Sequence, residues 1–158
     1  KLNIKKIKIS SKIKKTIHNH LLLVYTKIKR ESSKVVLSQK KREEKIIRYY
    51  DKIKNLNKFL INALQSKNSE LLADIFKEHW EYKKKLSNQM TSKPINILFE
   101  KFIRKYNFSG GKLVGAGGGG FFLMVTKNKK SVIKRLKKDR IGFIDFKVEN
   151  IGSRIIES

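Results

Sequence analysis

Seven of the chain's nine glycines lie in the run Gly110-Gly111-Lys112-Leu113-Val114-Gly115-Ala116-Gly117-Gly118-Gly119-Gly120, and an apolar stretch, Phe121 to Val125, follows at once. Four consecutive glycines carry no Cβ to hold a ligand or another backbone away. They also reach positive φ at little cost, so successive amides can converge on one anion. The chemistry this suggests is phosphate recognition, or stabilisation of charge on a transferring group. The structural alternative is a hairpin tip, or a place where two backbones pack closely.

Two familiar phosphate motifs are excluded by what surrounds these glycines. Gly115-x-Gly117-x-x-Gly120 matches the dinucleotide-binding fingerprint in spacing, but that motif needs a helix directly after it. Phe121-Phe122-Leu123-Met124-Val125-Thr126 has no capping residue in front and reads as a buried strand, which offers no helix dipole to a pyrophosphate. No Lys-Ser or Lys-Thr follows a correctly spaced glycine pair, so the Walker A pattern fails as well.

A second candidate site is Arg30 with Ser32 and Ser33, where a buried strand gives way to a helical pattern. Arginine grips phosphate through two donors, and a helix start adds its own amides. Pairing of Arg30 with Glu31 or Glu43 is the alternative. The histidines offer less: His18 and His20 are two apart with no third ligand, a poor metal site. His79, beside Trp80, reads as a partly buried packing residue, and Glu78 and Glu81 read as solvent-facing. No metal ligands are assigned to this chain.

The elements that must position these residues follow from periodicity. Leu2 to Ile9 partly alternates apolar and basic residues, so residues 1–19 read as a crossover or an edge strand. Leu21 to Thr26 is a continuous apolar run suited to a buried strand. From Ser33 the pattern is helical, with Ile46, Tyr50, Ile53, Leu60 and Leu64 close to one face and a break near Gln39 to Arg42. Asn68 or Ser69 caps a second helix with Leu72, Ile75, Phe76 and Leu86 inward. Ser92 caps a third, with Pro94 in its first turn and Ile95, Leu98, Phe99, Phe102, Ile103 and Tyr106 inward. Lys112 to Val114 and Phe121 to Thr126 read as strands, Ser131 to Lys138 as a helix and Ile141 to Val148 as a last strand. The order β, helices, β, β, α, β predicts an α+β fold, a split β-α-β with an antiparallel sheet and helices packed on one face.

The segment Lys112 to Gly120 resembles the third motif of the GHMP kinases, the family of galactokinase, homoserine kinase and mevalonate kinase. Leu21-Leu22-Leu23-Val24-Tyr25-Thr26, Arg30, Ser32-Ser33 and Leu86-Ser87-Asn88-Gln89-Met90-Thr91-Ser92 are similar to its branch acting on D-glycero-D-manno-heptose 7-phosphate. Phe146-Lys147-Val148 with Gly152-Ser153-Arg154-Ile155-Ile156 resembles the end of such kinases. The resemblance implies a ferredoxin-like C-terminal domain on the substrate side of an ATP-dependent sugar kinase. It also implies that Gly115, Ala116, Gly117, Gly118, Gly119 and Gly120, with Thr26, Arg30 and Ser33, bind substrate or phosphate. Within the loop, the amides of Gly117, Gly118 and Gly119 would face the phosphate or the reacting edge of the sugar.

Two departures from the family pattern stand out. Lys27 follows the Tyr-Thr pair where that branch has glycine, which sets a bulky cation at an expected tight turn. The family's nucleotide-phosphate loop, a proline followed by glycines and serines, does not occur, and the only proline is Pro94. The resemblance therefore implies an N-terminal kinase domain as partner, supplying the catalytic acid and most ligands for Mg and ATP. This domain alone is expected to be inactive.

The chain's 158 residues are one domain's length, and 39% are hydrophobic, enough for a core. No apolar run approaches a membrane span and there is no cysteine, so a cytoplasmic protein that binds no membrane is expected. The net charge of +26 would ordinarily suggest a nucleic-acid partner. The basic residues, however, are spread over every helix, lysine outweighs arginine, and lysine, isoleucine and asparagine are enriched together. A solvated surface is the better account, with no nucleic acid. Arg140 to Phe146 matches an RNA-recognition strand only in part, and its aromatics read as core. A homodimer is left open, as is a stand-alone domain that binds an anion or metabolite without chemistry.

Overall fold

The computed structural model describes residues 9–29, 37 and 44–149. Ser10 opens the first helix, α1 (Ser11–His20), its hydroxyl accepting from the Ile13 N–H at 3.3 Å. Ile13, Thr16 and Ile17, at helical spacing, point inward. The edge strand expected before Leu21 is therefore not found at residues 11–20, because a capped amphipathic turn pattern wins there. The alternating run at Leu2 to Ile9 lies almost wholly outside the described residues.

Strand β1 (Leu21–Tyr25) follows directly. Helix α2 (Glu44–Ser66) carries Leu56 and Ala63 into the core. Helix α3 (Ser69–Lys84) starts at Asn68, whose side chain accepts from the Leu71 N–H at 3.0 Å. Helix α4 (Lys93–Tyr106) has Ser92 at the N-cap position and Pro94 in its first turn, and it buries Ile95, Phe99, Phe102 and Tyr106. Strands β2 (Gly110–Leu113) and β3 (Phe121–Val125) flank the glycine loop. Helix α5 (Lys129–Lys138) and the short strand β4 (Phe143–Ile144) complete the fold.

The four strands form one antiparallel sheet in the order β2-β3-β1-β4. This is the split β-α-β order expected from the sequence, and the fold is α+β. One detail differs from the expectation: both faces of the sheet are covered. Adjacent residues on a strand point to opposite faces. Leu22, Val24, Phe122 and Met124 join Phe99, Phe102, Val132 and Leu136 on the α4–α5 side. Leu21 and Val125 join Leu56, Leu72, Ala73 and Phe76 on the side of α2 and α3. The continuous apolar run of β1, exposed only at Tyr25, is the sequence counterpart of this double burial.

The last strand is shorter than expected. Pairing reaches only Leu23 with Ile144 and Val24 with Phe143. Beyond them the Asp145 carboxylate pairs with Lys129 of α5 at 2.5 Å and Phe146 packs into the α1–α3 cluster, which draws the chain off the sheet edge. Among the described residues no helix is long and apolar enough to cross a membrane.

Candidate functional site

The glycine loop is closed at its base by the Val114 N–H, which donates to the Phe121 carbonyl at 2.9 Å. Above that base the chain is held from two sides. On one side, Thr26 at the end of β1 donates its N–H to the Gly120 carbonyl at 2.9 Å, and its buried hydroxyl donates to the same oxygen at 2.9 Å. The Gly120 N–H returns a bond to the Ile28 carbonyl at 3.0 Å. On the other side, the Gly118 N–H donates to the Met90 carbonyl at 3.1 Å.

These clamps explain two of the glycines. Gly117 has φ of 108°, and a Cβ there would lie 2.5 Å from Met90 Sδ and 2.8 Å from the Met90 carbonyl oxygen. Gly119 has φ of 151°, and a Cβ there would collide with the Ile28 carbonyl. Both positions combine a backbone conformation that side chains disfavour with the close approach of a neighbouring chain. Met90 is itself fixed, since its N–H donates to Ser87 O at 3.1 Å and the Ser87 hydroxyl accepts from the Gln89 N–H at 3.0 Å.

The structure thus brings Gly115, Ala116, Gly117, Gly118, Gly119 and Gly120 together with Thr26. Thr26 acts on the loop as a strut, its hydroxyl also accepting from the Ile28 N–H at 3.2 Å. One expectation changes: the Gly118 amide, assigned to phosphate from the sequence, is taken up by Met90. Among the described residues the Gly117 and Gly119 amides have no main-chain acceptor. Arg30 and Ser33 lie outside the described residues, as do Ser32 and the segment Gly152 to Ile156. Lys27 adopts φ of 59°, a left-handed conformation that glycine takes at less cost, with lysine in its place.

The surroundings are cationic. The Lys83 ammonium, in the last turn of α3, donates to the carbonyls of Gly115 at 2.5 Å and Leu113 at 3.2 Å. The half-buried Lys112 side chain lies along α3 with its ammonium 5.1 Å from the centre of the Phe76 ring, and burial lowers its pKa. His79, one turn before Lys83, has its pKa lowered to about 4, chiefly by burial and then by the positive charges of Lys112 and Lys83. It is neutral near pH 7. Glu78 and Glu81 are exposed, as expected, paired with the Tyr82 hydroxyl and Lys84 at 2.6 Å each. Among the described residues no group of three acidic, histidine or cysteine side chains is placed to hold a metal ion.

Three contributors to this site escaped the sequence reading: Ile28, Met90 and Lys83. Met90 sits inside a segment quoted for the family resemblance but carried no role of its own. Ile28 and Met90 act through main-chain carbonyls, which side-chain type does not report. Lys83 is one lysine among many.

No family model matches the chain. The chain is similar to the bifunctional fucokinase/GDP-fucose pyrophosphorylase of Arabidopsis thaliana, 33% identical over 118 residues, which are 74% of this chain and 11% of that protein. Its structure resembles the mevalonate kinase of Methanococcus jannaschii, with a TM-score of 0.61 and 26% identity over 87% of this chain and 42% of that one. It also resembles L. major mevalonate kinase in complex with R-mevalonate, with a TM-score of 0.63 and 21% identity over 76% of this chain and 38% of that one. The chain spans less than half the length of each of these relatives. Its structural neighbours are GHMP-family kinases, it has a fold like their C-terminal part, and in sequence and structure it is similar to kinases.

Proposed function

We propose that this chain is the substrate-side, C-terminal domain of a cytoplasmic ATP-dependent sugar kinase, working with an N-terminal kinase domain. The reaction moves the γ-phosphoryl group of ATP to a sugar hydroxyl. The P–O bond to ADP breaks, a P–O bond to the sugar forms, and the hydroxyl proton leaves to a base in the partner domain. The acceptor we favour is the anomeric hydroxyl of D-glycero-D-manno-heptose 7-phosphate, on the strength of the motif resemblance from Leu21 to Ser92.

The observation that carries the reading is the clamped glycine loop. Its backbone is held by Thr26, Ile28 and Met90 while the Gly117 and Gly119 amides have no main-chain acceptor among the described residues. Donors fixed before the substrate arrives stabilise charge on a transferring phosphoryl group without reorganising. A hydrogen bond to a charged group contributes about 1.5–3 kcal/mol. Arg30 and Ser33 are assigned to the distal phosphate of the sugar. Mg and ATP ligands are assigned mainly to the partner domain, because the resemblance places the nucleotide-phosphate loop there and not in this chain.

The test is phosphoryl transfer by the full-length protein from Mg-ATP to heptose 7-phosphate, L-fucose and mevalonate, read as ADP release with identification of the product. Turnover of the heptose phosphate is expected. Preference for fucose or mevalonate would replace the acceptor, and binding without transfer to any of them would favour a non-catalytic anion-binding domain. Gly118→Val should lower turnover and acceptor affinity, and if both survive the loop is only structural. Arg30→Ala should weaken the phosphorylated acceptor and leave nucleotide affinity unchanged, whereas equal loss toward both would reject the distal-phosphate role.

A further inference from the structure

We propose that Lys83 is a positioning residue for the glycine loop, a latch that sets the loop's entry by holding the Leu113 and Gly115 carbonyls. This deepens the kinase reading and rests on it for its kinetic consequence. Lys83 does not need to touch the substrate to act, because its ammonium already contacts both carbonyls, at 3.2 and 2.5 Å.

The reach of this lysine is built into the packing of α3 along β2. At the start of β2, Gly110 lets α3 come so close that a Cβ there would lie 2.7 Å from the Ala73 carbonyl oxygen. Further along, Lys112 covers the Phe76 ring. From Ala73 to Lys83 a helix rises about 15 Å. From Gly110 to Gly115 an extended strand covers roughly the same distance, about 16 Å. Helix and strand run side by side in the same direction, so contact at Gly110 delivers the ammonium to the loop entry.

The loop is then held at three points along its length. Lys83 holds Leu113 and Gly115 at the entry, Met90 holds Gly118 in the middle, and Thr26 with Ile28 holds Gly120 at the exit. The middle and exit clamps are main-chain bonds or a neutral hydroxyl. The entry clamp is the charged one. Peptide planarity means that fixing the Gly115 carbonyl also fixes the direction of the next N–H in the loop. A loop of five glycines in six residues has little stiffness of its own, so an entry left loose would spread its disorder toward Gly117 and Gly119.

The experiment compares wild type, Lys83→Met and Lys83→Arg in the full-length protein by amide hydrogen exchange and by steady-state kinetics. Lys83→Met should raise exchange at the Gly118 and Gly120 amides about tenfold, with α4 and α5 unchanged, since only a local opening is made easier. It should lower kcat for phosphoryl transfer about 10- to 100-fold, the effect of a misplaced reactive geometry, with KM for ATP little changed. Lys83→Arg, which keeps the charge and the donors, should restore most of both. Unchanged exchange at Gly118 and Gly120 in Lys83→Met overturns the latch, whatever the kinetics do. Faster exchange in an otherwise protected protein whose wild type transfers no phosphate would leave the latch standing and remove the kinase reading. Should Lys83→Met lose protection everywhere, Lys83→Gln is measured in its place against the same criterion.

Discussion

The Thr26 hydroxyl donates to the Gly120 carbonyl at 2.9 Å across 94 residues of sequence, and the same carbonyl accepts the Thr26 N–H at 2.9 Å. The hydroxyl also accepts from the Ile28 N–H at 3.2 Å. One buried side chain therefore ties the end of β1, the segment that follows it and the exit of the glycine loop. Thr26→Val keeps the shape and removes both hydroxyl bonds, leaving the Ile28 N–H without its acceptor while the Gly120 carbonyl keeps the main-chain bond, so it should cost about 1–3 kcal/mol. Thr26→Ser should recover most of that. Urea unfolding of the three proteins checks it, and a valine variant as stable as wild type would refute the strut.

Gly119→Ala should destabilise the protein by roughly 1–3 kcal/mol, since the new methyl group meets the Ile28 carbonyl and φ is 151°. Gly117→Ala should behave alike, against Met90. Thermal melts give the answer, and an unchanged melting temperature for both would mean the loop does not hold this conformation in solution.

Lys27→Gly should stabilise the protein. Lysine at φ of 59° carries a left-handed penalty that glycine lacks. That penalty of roughly 1–2 kcal/mol exceeds the entropy glycine adds to the unfolded chain, leaving a net gain of about 0.5–1 kcal/mol. A loss of stability would show that the Lys27 side chain makes compensating contacts.

Gly110→Ala should be among the more damaging single-methyl additions, about 1–3 kcal/mol, because the obstacle is the α3 backbone at Ala73 and not a side chain that can rotate. Equilibrium unfolding measures this directly. Tolerance of alanine would contradict the close packing of α3 on β2.

His79 makes stability depend on pH. Its folded pKa is lowered from 6.5 to about 4, so between those values the unfolded chain binds a proton that the folded protein refuses. Stability contributed by this group is complete above pH 6.5, falls as pH drops toward 4 and changes no further below that. His79→Gln should flatten this part of the profile, read as the difference in urea midpoint between pH 7 and pH 4.5. An unaltered slope would assign the acid sensitivity to other groups.

Much of the fold was legible because it is written in local chemistry. Asn68 caps α3, Ser92 stands at the N-cap position of α4 without a side-chain cap bond and with Pro94 in the first turn, and of the inward faces named from periodicity Leu72, Ile75, Phe76, Phe99 and Phe102 are buried, whereas Tyr50 on α2 is exposed. The readings that changed concern partners distant in sequence. Residues 11–20 alternate too weakly to be told from a strand end until Ile13 and Ile17 find a core to enter. Ile141 to Val148 has the composition of a strand, but Asp145 is drawn to Lys129 of α5, and no residue near Asp145 announces that partner.

The candidate site divides in the same way. Clustered glycines, an apolar strand after them and a threonine ending a buried strand are visible in the order of residues alone, because steric freedom and hydrophobic pattern are properties of short segments. That order also set the α+β class and the split β-α-β arrangement. Which amides the loop uses internally could not be read there: Gly118 and Gly120 are held by the carbonyls of Met90 and Ile28, groups every residue has. The covering of both sheet faces and the reach of Lys83 to Gly115 belong to the same class. They depend on where α3 settles against β2, a distance fixed by packing between segments that the chain order keeps far apart.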